Sequence, residues 1–105
     1  MPKYLVQGAY TEQALSGPLK TGGSKRRSMV EQLAKEMRGE LEAFYFYFGS
    51  DDFVIVLDLP SNLDMAATST VAQASGTVKS RVAILMTPED VDQAVRRKID
   101  FRPPK

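Results

Sequence analysis

Leu41-Glu42-Ala43-Phe44-Tyr45-Phe46-Tyr47-Phe48 runs into Gly49-Ser50-Asp51-Asp52 and then into Phe53-Val54-Ile55-Val56-Leu57-Asp58-Leu59. Two runs rich in aromatic and β-branched residues, joined by a short Gly/Ser/Asp connection, read as a β-hairpin. The first strand of the pair is expected over Glu40 to Phe48 and the second over Phe53 to Leu59. Strand side chains alternate between faces. This alternation puts Leu41, Ala43, Tyr45 and Tyr47 on one side and Phe44, Phe46 and Phe48 on the other. In the next strand Phe53, Ile55, Leu57 and Leu59 oppose Val54 and Val56. Both faces of the hairpin are largely apolar, so both call for cover.

The hairpin sits in the middle of a longer order. Upstream, Lys3 to Tyr10 alternates and reads as a strand. Thr11 can cap a short turn that Gly17-Pro18 interrupts. Met29, Val30, Leu33, Ala34 and Met37 recur at helical spacing and predict an amphipathic helix from about Ser24 to Arg38. Ser24 is one candidate N-cap; Ser28, with Glu31 three residues on, is the other. Gly39 stands where a C-cap glycine belongs. Downstream of Pro60-Ser61-Asn62, the residues Leu63, Ala66, Ala67, Thr70, Val71 and Ala74 form a helical stripe of mostly small side chains, which suits close packing on a sheet. Thr77 to Met86 reads as a fourth strand. Thr87 and Pro88 then open a last helix, as cap and first helical residue. Its expected buried face is Val91, Ala94 and Val95. The order is β-α-β-β-α-β-α, an α+β ferredoxin-like βαββαβ unit with an added C-terminal helix. The 105 residues suit one domain spanning 1–105.

Helices in that topology cover one sheet face, and the other is expected to be polar. Here it is not. Burying a large apolar side chain contributes about 1.5–3 kcal/mol, so several on an open face make an association site. The expected partner is a second copy, sheet against sheet, giving a homodimer or higher homo-oligomer. The competing cover is the last helix and tail folded back over the open face.

Absences narrow the chemistry. There is no cysteine, hence no disulfide, thiolate nucleophile or Cys-based metal site. There is no histidine, which removes the commonest general base and transition-metal ligand. The expectation is no cofactor and no tightly bound zinc, copper, nickel or haem. Asp51, Asp52 and Asp58 lack an EF-hand pattern, and a turn explains the first two. Lys and Arg number 14 against 13 Asp and Glu, a net charge of +1, which predicts neither nucleic-acid nor membrane binding. Apolar runs fall far short of the roughly 20 residues of a membrane span. Met1-Pro2-Lys3-Tyr4 lacks a signal-peptide core, so the expected location is cytoplasmic.

The residues resemble a known family, the GYD-domain proteins. The resemblance is carried by Gly22-Gly23-Ser24 with Arg26-Arg27, by Leu41 to Phe46 with Phe48-Gly49 and Asp51-Asp52, and by Asp58-Leu59-Pro60. Ala74-Ser75-Gly76, Leu85-Met86-Thr87-Pro88-Glu89 and Arg102-Pro103-Pro104 extend it over nearly the whole chain. The resemblance implies a small protein of the dimeric α/β-barrel kind and assigns no chemistry.

Candidate ligand-binding residues follow from placement. Gly22-Gly23 before a helix, followed by Arg26 and Arg27, can present backbone N–H groups and guanidinium groups to an anion. A solvated basic turn, or pairing with a partner subunit, is the plainer account. Lys79 and Arg81 share a face of the fourth strand, which the topology sets beside the first, where Gln7 sits. With Tyr45 and Asp58 these can line a partly polar cleft; a charged edge that discourages strand pairing is the alternative. No specific biochemical function can be derived from the sequence. The leading reading is a homo-oligomeric domain binding a small organic or anionic ligand. The alternatives are a cofactor-independent oxygenase- or isomerase-like enzyme and a purely structural interaction module.

Overall fold

A computed structural model describes residues 1–12, 14, 22–47 and 49–104. Gly17-Pro18, Thr21 and Phe48, to which the sequence assigns turn and strand roles, lie outside the described residues. The described elements are β1 (Lys3–Tyr10), α1 (Gly23–Glu36), β2 (Glu40–Phe46), β3 (Phe53–Asp58), α2 (Asn62–Ala74), β4 (Val78–Leu85) and α3 (Pro88–Arg96). The strands form one antiparallel sheet in the order β2-β3-β1-β4. This is the expected ferredoxin-like arrangement, with β1 between β3 and β4.

Register sorts the side chains by face. Tyr4, Val6 and Gly8 stand opposite Leu57, Ile55 and Phe53 on β3. All six are buried under the helices. With Ala34, Leu59 and Met65 the apolar members form the core, and Val30, Met37, Leu41, Phe44 and Val78 pack around it. Tyr4 is 1% exposed. Its hydroxyl donates to Asn62 Oδ1 at 2.6 Å, so the buried ring also fixes the start of α2.

Four local expectations are corrected. The β2–β3 register slips between Leu41 and Ala43. Glu42 is the extra residue of a bulge, so Leu41 joins Phe44 and Phe46 on the helix side instead of Ala43 and Tyr45. At the start of α1 the cap is Gly22, at φ 90°, with no side-chain cap. Ser28 Oγ instead donates to the Ser24 carbonyl, a bond within the helix, so neither serine acts as N-cap. At the far end of α1 the left-handed residue is Arg38, at φ 62°, and Gly39 serves a different purpose. A Cβ on Gly39 would lie 2.2 Å from the Asp58 carbonyl oxygen and 2.6 Å from Leu59 Cδ2. Glycine is there because the chain entering β2 presses against the end of β3.

The fourth correction concerns the last two helices. On α2 the buried residues are Met65 and Thr68, and Thr68 Oγ1 is satisfied by the Asp64 carbonyl at 2.8 Å. The stripe expected inside faces out: Leu63 is 79% and Val71 62% exposed. Ser61 caps this helix by accepting from the Asp64 N–H. On α3 the expected cap is present, a capping box between Thr87 and Asp90 with Pro88 in the first turn. Its expected buried face is exposed, and no α3 residue is buried. The helix does not fold back over the sheet.

The Gly39 contact generates a test. Gly39→Ala forces a Cβ against backbone and a packed leucine, neither of which moves freely. Overpacking of this sort costs about 1–3 kcal/mol. Urea unfolding followed by circular dichroism is expected to show a lower midpoint by that amount with an unchanged slope.

Candidate functional site on the open sheet face

The face away from the helices is built from Leu5, Gln7 and Ala9 of β1, Val54, Val56 and Asp58 of β3, Ala43 and Tyr45 of β2, and Lys79, Arg81, Ala83 and Leu85 of β4. Strand pairing arranges them in rows. One row reads Ala43, Val56, Leu5, Ala83 across the sheet. It is small and apolar. The next reads Tyr45, Val54, Gln7, Arg81. Three of the six candidate site residues therefore lie in one line across all four strands.

Polar groups close the face at both ends. At one end Arg81 reaches across β1 to Asp51 in the β2–β3 turn. Its Nη2 donates to Asp51 Oδ2 at 2.6 Å and its Nη1 to Oδ1 at 3.3 Å. Tyr47 donates its hydroxyl to Asp51 Oδ2 at 3.2 Å. The Asp51 side chain is 8% exposed and Arg81 65%. Hydrogen bonds from Arg81, then from Tyr47, hold the Asp51 carboxyl below its ordinary pKa against the opposing effect of burial. The same pair raises Arg81. A guanidinium has five N–H donors, and Asp51 takes two, which leaves Arg81 donors for an acceptor arriving from solvent. Next to Asp51, Asp52 accepts from the Tyr10 N–H at 2.9 Å and donates its own N–H to Gly8. The two adjacent aspartates thus tie the turn to β1 and to β4.

The other end holds Asp58. Its carboxylate pairs with Lys3 at 3.4 Å, and Lys3 also contacts Glu42, the bulged residue. Asp58 shares the open face with Val54 but lies four residues along β3, about 13 Å away. The structure therefore separates Asp58 from the Tyr45–Gln7–Arg81 row. The face is an apolar band between two charged clusters, more polar at its ends than the alternation alone implies.

Arg26 and Arg27 belong elsewhere. The Arg26 guanidinium lies over the rings of Tyr10, at 4.9 Å, and Phe46, at 5.4 Å. Both rings are on the helix side. Cation–π contact of this kind contributes about 0.5–2 kcal/mol and accounts for a cation at a helix N-terminus, where the macrodipole disfavours it. Arg27 pairs with Glu31 one turn on, at 3.6 Å. It also lines an open groove of about 290 Å³ with Glu31, Leu41, Glu42, Ala43, Phe44 and Tyr45. That groove follows the β2 edge, so Arg27 meets one candidate residue, Tyr45, and not Arg81.

The sequence pattern favours a turn role for Asp51 over a cation site and does not single out Tyr47. Both are part of the Arg81 cluster. Among the described residues, no three His, Cys, Asp or Glu side chains come together in a way that could hold a metal ion, and no helix is long and apolar enough to cross a membrane. The shifted groups move away from neutrality: Asp51 falls, while burial raises Tyr4 and Tyr10. None of them is poised as a general base near neutral pH.

The Arg81–Asp51 pair has a pH signature. A carboxyl with a depressed folded-state pKa adds stability that is present above its unfolded pKa and is lost as pH falls through the folded value. Replacing Arg81 by Ala removes the largest cause of that depression. Urea unfolding from neutral pH to about pH 3 is expected to show R81A less stable than wild type at neutral pH. The gap should narrow on acidification. A gap of constant size would show that Asp51 does not titrate through Arg81.

No curated protein and no solved structure matches this chain. The family described as GYD domain does, over residues 4–95. That span takes in nearly the whole sheet, its covering helices and almost all of α3, so this chain belongs to the GYD-domain family.

Proposed function

We propose that this GYD domain is a self-associating cytoplasmic module that binds a small organic molecule carrying a carboxylate or similar acceptor on the open face of its sheet. The carrying observation is the row Tyr45, Val54, Gln7, Arg81 beside the apolar row Ala43, Val56, Leu5, Ala83. The first offers donors and an aromatic ring. The second offers an uncharged floor of small side chains. Arg81, already oriented by Asp51, supplies a planar fork suited to a carboxylate. Gln7 in the centre of the row supplies both a donor and an acceptor. A second copy laid on this face would cover Leu5, Val54 and Val56. The small residues Ala43 and Ala83 leave room between two such sheets, which otherwise pack about 10 Å apart.

Two measurements test the reading. Thermal shift across a panel of small aliphatic and aromatic carboxylates and phosphates is expected to find a stabilising carboxylate. R81A should weaken its affinity about tenfold or more, and R26A, on the opposite side of the sheet, should not. Light scattering at micromolar concentration is expected to give a dimer mass that Val54→Lys reduces to that of one chain. A wild-type protein with a monomer mass and no response to the panel would overturn the proposal.

A further inference from the structure

We propose that the C-terminal arm, residues 86–104, docks on the outer surface of α2 and β4 of a second copy of this chain. The inference rests on the self-association reading above but uses a different surface. Three observations carry it. The arm makes no core: no residue of α3 is buried, and Met86, Val91, Val95, Ile99 and Phe101 are between 45% and 83% exposed. Val91, Ala94 and Val95 fall at i, i+3 and i+4, on one side of the helix. The chain is drawn out to match, 56 × 32 × 24 Å with a radius of gyration of 16.9 Å, against about 13 Å for a compact chain of this length.

The second observation is an uncovered apolar surface of fitting kind. Val82 and Ile84 stand opposite Val6 and Tyr4 on the helix side of the sheet, yet they are 38% and 60% exposed. Beside them Leu63 and Val71 of α2 face outward. Asp64 is the one charged residue within α2. Among the described residues, Val82, Ile84, Leu63 and Val71 thus give this surface an apolar character that suits the apolar side of a helix. The third observation is the hinge. Only Met86 and Thr87 separate β4 from α3. Pro88 restricts Thr87 to extended backbone, which it adopts at φ −74°, ψ 160°, and the capping box fixes the helix to it. Met86 alone is left to reverse the chain onto its own α2. Reaching a second copy needs no reversal, and exchange of a terminal element is a low-cost route to a dimer.

The area is adequate. Each large apolar side chain fully buried removes roughly 60–120 Å² from water. Five on the arm and four on the acceptor, in two reciprocal copies, bring the interface to the order of 1,000 Å², the lower bound for a specific contact.

The chain has no cysteine, so introduced thiols report cleanly. A full-length V71C variant is mixed with a V95C variant and treated with a flexible bismaleimide at micromolar concentration. A cross-linked product of twice the chain mass is expected, forming several-fold faster than in a mixture of V95C with M29C, whose thiol sits on exposed α1. Intrachain closure of the V71C/V95C double variant at single-chain mass, with no coupling between mixed chains, would overturn the proposal. So would the absence of coupling in both, or equal coupling to M29C. Coupling that survives Val54→Lys supports the arm contact even where sheet-face pairing fails.

Discussion

Strand β1 is hydrogen-bonded along both edges, and its register fixes nearly everything else in the molecule. Every second residue, Tyr4, Val6 and Gly8, faces the helices, and the residues between, Leu5, Gln7 and Ala9, face away. A slip of one residue would exchange the two sets. It would put Gln7 in the core and Tyr4 on the open face, away from Asn62. Gly8 adds a steric lock. A Cβ there would lie 2.5 Å from the Lys79 carbonyl oxygen and 2.7 Å from Phe53 Cζ, so β4 and the Phe53 ring close over the one position without a side chain.

From this register the candidate site follows without further assumption. Gln7 is central because β1 is central. Arg81 lies beside it because β4 pairs antiparallel at that row, and Tyr45 lies two strands away because β2 pairs with β3. The remaining partner, Asp51, comes from a turn. Arg81 is 30 residues away from it in sequence and crosses β1 to reach it. The pair ties one edge of the sheet to the hairpin at the other, and it orients a cation at the end of an apolar band. The charge of Arg81 is therefore not a simple edge guard. An edge lysine or arginine that only discourages pairing would extend into solvent, whereas this one is held along the face.

Much of this was legible in the sequence, for identifiable reasons. The strand order, the shared face of Lys79 and Arg81 and the Thr87–Pro88 helix start all follow from local pattern or from a topology with few alternatives. The Glu42 bulge was not legible, because a one-residue insertion leaves the alternation of Ala43 to Phe46 intact and shifts only Leu41. The role of Gly39 was hidden for a related reason. A glycine after a helix signals a cap, and nothing local shows that the Asp58 carbonyl presses on it. The ring contacts of Arg26 were hidden because Tyr10 and Phe46, which receive it, come from two other elements. The separation of Asp58 from the row depended on the β1–β3 register, which sets Val54 opposite Gln7 and Asp58 opposite Lys3, and alternation shows parity without fixing register.

The inversion of α2 is the most instructive failure. Its sequence holds one side through Met65, Thr68 and Ala72 and another through Leu63, Ala66, Ala67, Thr70, Val71 and Ala74. Periodicity picks out the second, since it contains more apolar side chains. The fold chooses the first, because Asn62 must meet the Tyr4 hydroxyl and Met65 must fill the core beneath it. A helix with one charged residue and a rich second stripe is then left with that stripe outward, beside the uncovered Val82 and Ile84. The last helix carries the converse pattern, a narrow apolar side on an otherwise charged segment. Both leave apolar side chains exposed, Leu63 and Val71 on the one and Val91 and Val95 on the other. Alternation in the hairpin led to the same expectation for the open sheet face. Among the described residues, apolar side chains are thus left accessible on three separate elements: the open face of the hairpin, the outer side of α2 and the arm.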